Sequence, residues 1–156
     1  MTIQALGWAR ITDPLRFIFP VGTLAQTVRD AHMPQTLEQL RILVVEDEYF
    51  LANDLARALT SEGADVIGPA ATACEAFQLI DKGLDAVVLD IKLTDGQAFA
   101  IADELVRMHV PFAFATGYGP DTIPRRFRDV VRIDKPFDAG AVGSVIARLA
   151  GPQKPR

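Results

Sequence analysis

From position 41 onward the chain alternates between two hydrophobic periods. Short apolar, largely β-branched or aromatic runs, RILVV (41–45), DVIG (65–68), AVVLD (86–90), PFAFAT (111–116) and VVRID (130–134), read as buried strands. Between them apolar residues recur every three or four positions, the spacing of an amphipathic helix. Leu51, Leu55 and Leu59 fall on one face of YFLANDLARALTSEG, and Gly63 supplies its stop. Thr72 and Glu75 form a T-x-x-E capping box that opens a second helix, terminated by Gly83. A third helix is expected over about 97–108, and a last one follows Asp138, a suitable N-cap, through AGAVGSVIARLA. The connection GYGPDTIPRRFRD (117–129) is broken by Gly119, Pro120 and Pro124, so a fourth helix there is short or irregular. Strands alternating with helices predict an α/β fold, a doubly wound five-stranded parallel sheet in the order 2-1-3-4-5.

Residues 1–38 carry neither period and are interrupted by Pro14, Pro20, Gly22 and Pro34. They read as an N-terminal arm, poorly ordered or docked through Trp8, Phe17 and Phe19, with Met33 as an alternative start; 39–151 form the domain and 152–156 a tail. The balance of 16 basic against 20 acidic residues, net charge −4, offers no general basic surface for nucleic acid. No apolar run is long enough for a membrane span, and the start lacks an export signal, so a cytoplasmic location is the expectation. Cys74 is the single cysteine, which rules out a disulfide framework; its helical setting suggests a packing role. His32 and His109 sit in no catalytic pattern and read as exposed. Arg125, Arg126 and Arg128 make a local basic patch, read as a solvated face or a partner contact.

The chemistry lies at the strand ends. In an open parallel sheet, loops converge beyond the carboxyl ends of the strands. There the first strand delivers Glu46, Asp47 and Glu48, the third Asp90, the fourth Thr116 and the fifth Lys135. Clustered carboxylates repel one another unless a cation lies between them, and oxygen ligands with room for water and phosphate oxygens suit Mg²⁺. Asp90 then reads as a carboxylate nucleophile forming an aspartyl phosphate, whose oxygens Lys135 and Thr116 would contact.

The ordered set ILVVEDE, AVVLDIKL, FAT and DKPF, over residues 40–150, resembles the flavodoxin-like receiver domain of bacterial two-component response regulators. By that resemblance Asp90 matches the phosphoacceptor, Glu46 and Asp47 the metal-binding acidic pair, Thr116 the phosphoryl-contacting hydroxyl and Lys135 the lysine of the site. The backbone carbonyl of Lys92 falls where the family supplies a further metal ligand. The resemblance implies a Mg²⁺-dependent phosphoacceptor without independent substrate turnover. It also implies a sensor histidine kinase or histidine phosphotransfer protein as donor, signalling or relay through protein contacts, and leaves a homodimer open. Accordingly, the chain has no G-x-x-x-x-G-K-[ST] loop for ATP. PFAFATGYG (111–119) is similar to the subgroup called FAT GUY receivers, whose members often stand alone or act in general-stress phosphorelays. Two departures from the wider family accompany it: Arg132 stands where most receivers carry an aromatic residue, and KLTDGQAF replaces the common L-P-x-M-x-G loop. Two other readings exist, a receiver-like interaction module that needs no phosphorylation and a flavodoxin-like small-molecule binder. The intact acidic set weighs against the first, and acids in place of a glycine-rich phosphate loop after strand one weigh against the second.

Overall fold

The computed structural model describes residues 36–151, apart from 81, 82 and 118. Five strands, β1 (Arg41–Val45), β2 (Asp65–Ala70), β3 (Ala86–Asp90), β4 (Phe112–Thr116) and β5 (Val131–Asp134), pair in parallel in the order β2-β1-β3-β4-β5. This is the flavodoxin-like order expected from the sequence. Helices α1 (Tyr49–Ser61) and α4 (Ala139–Ala150) pack together on one face, and α2 (Ala73–Leu79) and α3 (Ala98–Arg107) on the other.

Strand parity explains how one sheet serves two cores. Successive side chains of a strand point to opposite faces. Leu43, Val45, Val87, Leu89, Phe112 and Phe114 therefore face α2 and α3, whereas Ile42, Val44, Ala86, Val88, Ala113 and Ala115 face α1 and α4. The second face is lined by small residues on β3 and β4, which lets α4 settle close through Val142 and Ile146. Both strands are buried along their whole length, which is why they read as unbroken apolar runs.

The helix signals act locally as anticipated, with one adjustment. The Thr72 hydroxyl accepts the Glu75 N–H at 3.2 Å, while the Glu75 carboxylate reaches one residue further back than the standard box, accepting the Ala71 N–H at 2.7 Å. Asp138 caps α4 by accepting the Gly140 and Ala141 N–H groups at 2.9 and 3.3 Å. Gly63 ends α1 at φ +97°, a conformation that favours glycine.

Elsewhere the structure departs from the sequence reading. β2 runs two residues beyond Gly68, through Pro69, which an edge strand tolerates because one side of its backbone is unpaired. Leu37 is fully buried against the α1–α4 core, so the packed unit begins before residue 39. Residues 1–35, with the proposed arm, Met33 and His32, lie outside the described residues, as does the tail. Cys74 is exposed on α2: Ala73 and Ala76 take the buried face and turn position 74 outward, so it does not serve packing. His109 is exposed, with φ +58° just past α3.

Between β4 and β5 the described residues form two single 3₁₀ turns, Pro120–Thr122 and Arg125–Phe127, rather than an α-helix. The second turn is anchored by its apolar residue. Phe127 is buried, stacked on Phe99 with ring centroids 6.0 Å apart and set edge-on to Phe114 at 5.8 Å and Phe112 at 6.3 Å. Arg126 adds a bidentate pair with Asp103 of α3, at 2.8 and 3.0 Å, with its guanidinium 4.6 Å from the Phe127 centroid. Part of the basic patch is thus a structural tie to α3.

Candidate functional site

The sheet register assembles the site. Val45 lies beside Leu89, so the next residue of each chain segment, Glu46 and Asp90, emerge side by side. Asp90 pairs with Ala115 and Thr116 with Asp134, which brings Lys135 to the same edge. The Lys135 N–H donates to the Thr116 carbonyl at 2.8 Å, extending the β4–β5 ladder by one bond and fixing where the lysine side chain departs.

Glu46, Asp90 and Thr116 are the buried polar residues of the described chain. Buried carboxylates need compensation. The Lys135 ammonium supplies it, lying 2.6 Å from Glu46 Oε2 and 3.1 Å from Asp90 Oδ2. The remaining oxygens take backbone donors: Glu46 Oε1 accepts the Glu48 N–H at 3.2 Å and Asp90 Oδ1 accepts the Lys92 N–H at 3.1 Å. Asp47, more exposed, accepts at Oδ2 both the Thr94 N–H, at 2.9 Å, and the Thr94 hydroxyl.

One ammonium does not balance three carboxylates. Burial pushes the Glu46 carboxyl above its usual range; the hydrogen bond from Lys135 opposes this, and the Asp90 charge reinforces it. Burial alone would lower the pKa of Lys135, but its bonds to Glu46 and Asp90 and their charges outweigh that and raise it, so the amine stays protonated. One oxygen from each of Glu46, Asp47 and Asp90 lies within 4.8 Å of the others. They open onto a cleft of about 860 Å³ also lined by Lys92, Thr94 and Lys135. Hard oxygen donors, residual negative charge and room for water fit a divalent cation such as Mg²⁺.

Each sequence-predicted site residue therefore reaches the same sheet edge. Thr116 is buried, and Gly117 rather than Thr116 is among the residues lining the cleft. Sequence reasoning missed Thr94. Its only local sign was a hydroxyl residue beside Asp95 in the loop after β3, whereas its partner Asp47 lies 47 positions away.

No protein-family model matches the chain. Similar proteins do exist. Over 117 residues, 69% of its length, it is 35% identical to the phyllosphere-induced regulator PhyR of Methylorubrum extorquens. Its fold matches the non-phosphorylated HemR receiver domain of Leptospira biflexa with a TM-score of 0.64 and 29% identity, over 76% of this chain and 99% of that one. It matches SdrG of Sphingomonas melonis with a TM-score of 0.58 and 32% identity, over 71% of this chain and 96% of that one. The chain belongs to the receiver domains of response regulators. Its matches span 42% of PhyR and 54% of the mycobacterial regulator PdtaR, so it corresponds to about half the length of these curated relatives. As a receiver domain it is a two-component signalling module. Among the described residues no helix is long and apolar enough to cross a membrane. On β5, Arg132 is tied to Asp134 at 2.8 Å.

Proposed function

We propose that this receiver domain accepts a phosphoryl group on Asp90 from a sensor histidine kinase or a histidine phosphotransfer protein. In this reading an Asp90 oxygen forms a bond to phosphorus as the donor's phosphorus–nitrogen bond breaks, leaving the donor imidazole to recover a proton from water. Mg²⁺, when bound, supplies positive charge opposite the incoming phosphoryl oxygens; Glu46, Asp47, Asp90 and the Lys92 carbonyl are the groups that would hold it. Lys135 keeps a permanent charge beside Asp90, and Thr116 supplies a hydroxyl for a phosphoryl oxygen. These groups contribute chiefly through positioning and electrostatics. The same groups would also support slow hydrolysis of the acyl phosphate, returning the domain to rest.

The observation that carries this reading is the Lys135 bridge between two buried carboxylates, with a third carboxylate left facing the cleft. A protein working only as a contact surface gains nothing from that cost. Output passes through protein contacts in the cytoplasm, with or without a homodimer. The GYG segment, and the 3₁₀ turns that stand in place of an α-helix among the described residues between β4 and β5, support placement with the FAT GUY receivers and a stress-signalling role.

Incubation with a small acyl phosphate and Mg²⁺, followed by weighing the intact protein, tests the proposal. One phosphoryl group should be gained with Mg²⁺ and none with chelator. No gain under either condition contradicts it.

A further inference from the structure

Thr94 stands in an unusual relation to the acidic cluster. It is the residue that fixes Asp47, the most exposed of the three acids, and it does so with two donors on one oxygen, Oδ2. A carboxylate held at one oxygen cannot rotate freely, so its other oxygen has a defined direction before any cation arrives. Glu46 and Asp90 each have the Lys135 ammonium and a backbone N–H for this purpose. Asp47 has Thr94.

Thr94 can act as a fixed support because its own loop is held from the other side. The neighbouring Asp95 accepts the Ala73 N–H, at the first turn of α2, at 2.7 Å through Oδ2, and the Gln97 N–H at 3.1 Å through Oδ1. Leu93 is buried in the core that α2 and α3 share. Residues 93–95 are therefore pinned in turn by apolar packing, by Asp47 and by the start of α2, and the loop cannot drift with the Asp47 side chain. The Lys92 backbone belongs to the same short loop and bonds Asp90. The cation ligands proposed on β1 and those proposed on the β3 loop thus share one scaffold.

We infer that Thr94 is a positioning residue for the cation: its hydroxyl orients Asp47 and thereby sets the Mg²⁺ affinity of the resting domain. The inference rests on the Mg²⁺ site proposed above. Outer-shell partners of this kind change metal affinity by about 10–100-fold, and the retained Thr94 backbone N–H places the hydroxyl's share near the lower end.

The test is a calorimetric Mg²⁺ titration of the full chain without phosphodonor, comparing the parent with Thr94→Val and Thr94→Ser, with a thermal melt of each in chelator. Thr94→Val keeps the shape and the backbone donor but loses the hydroxyl. It should bind Mg²⁺ about tenfold more weakly while melting close to the parent, and Thr94→Ser should bind like the parent. In the acyl phosphate reaction, Thr94→Val should need more Mg²⁺ for half-maximal rate yet reach nearly the parent rate at saturation. Equal Mg²⁺ affinity in parent and Thr94→Val overturns the inference, as does an equal loss in the Val and Ser variants, which would trace the effect to loop shape. A parent chain that binds no Mg²⁺ would instead overturn the metal site itself, and the inference with it.

Discussion

At the scale of single residues, the site is a problem of charge placed where water is scarce. Lys135 offsets Glu46 and Asp90, so removing it leaves two buried carboxylates facing each other with Asp47 nearby. Breaking a buried pair costs about 3–5 kcal/mol, and the partial exposure of the lysine head reduces this. We therefore expect Lys135→Ala to lose about 1–3 kcal/mol in urea unfolding with chelator present, and Mg²⁺ to restore part of the loss in the variant. No loss would mean that the bridge contributes nothing to the fold. Asp47→Ala relieves repulsion instead. It should unfold at a denaturant concentration equal to or above that of the parent in chelator, yet lose metal-dependent labelling by acyl phosphate; labelling at the parent rate would remove Asp47 from the metal site.

At the scale of elements, the strands and their ends were legible because two independent signals coincide. An unbroken apolar run such as AVVLD specifies a strand buried on both faces, and a parallel sheet then carries every strand terminus to the same edge. Asp90, Glu46, Asp47 and Lys135 could be grouped before any geometry was known. Thr94 could not, since its partner is set by how the β3 loop folds back over β1 rather than by any period. Cys74 was misread because a seven-residue helix is too short for its face to be fixed by spacing alone. The 117–129 segment announced its irregularity through glycine and proline, but not that Phe127 would insert among Phe99, Phe112 and Phe114. That insertion holds the segment. Phe127→Ala should cost about 3–5 kcal/mol, whereas Arg126→Ala, which breaks an exposed pair, should be far milder; a loss in denaturant titrations as large for Arg126→Ala as for Phe127→Ala would show that the ring is not the main anchor of the turn. With Arg132 paired to Asp134 on β5, we expect phosphorylation, or a beryllofluoride mimic, to alter amide-exchange protection chiefly in 116–132. A change confined to α1 would place the output surface elsewhere.

At the scale of the whole molecule, a five-stranded parallel sheet with helices on both faces forms a rigid frame whose one costly feature is an acidic edge. Among the described residues the core draws on all five strands and on Leu37, so removal of residues 1–32 should leave cooperative unfolding intact; a broad, non-cooperative melt would assign the preceding segment a part in the core. The frame makes sense of the edge only if the edge has a chemical use. The most direct measurement is to locate the phosphoryl group itself. After reaction with acyl phosphate and Mg²⁺, borohydride reduction converts an aspartyl phosphate to homoserine, and peptide mass mapping finds the converted residue. Conversion is expected at position 90, abolished by chelator and absent in Asp90→Asn. Conversion at Asp47 or another acid, or an unmodified edge in a protein that binds Mg²⁺, would contradict it.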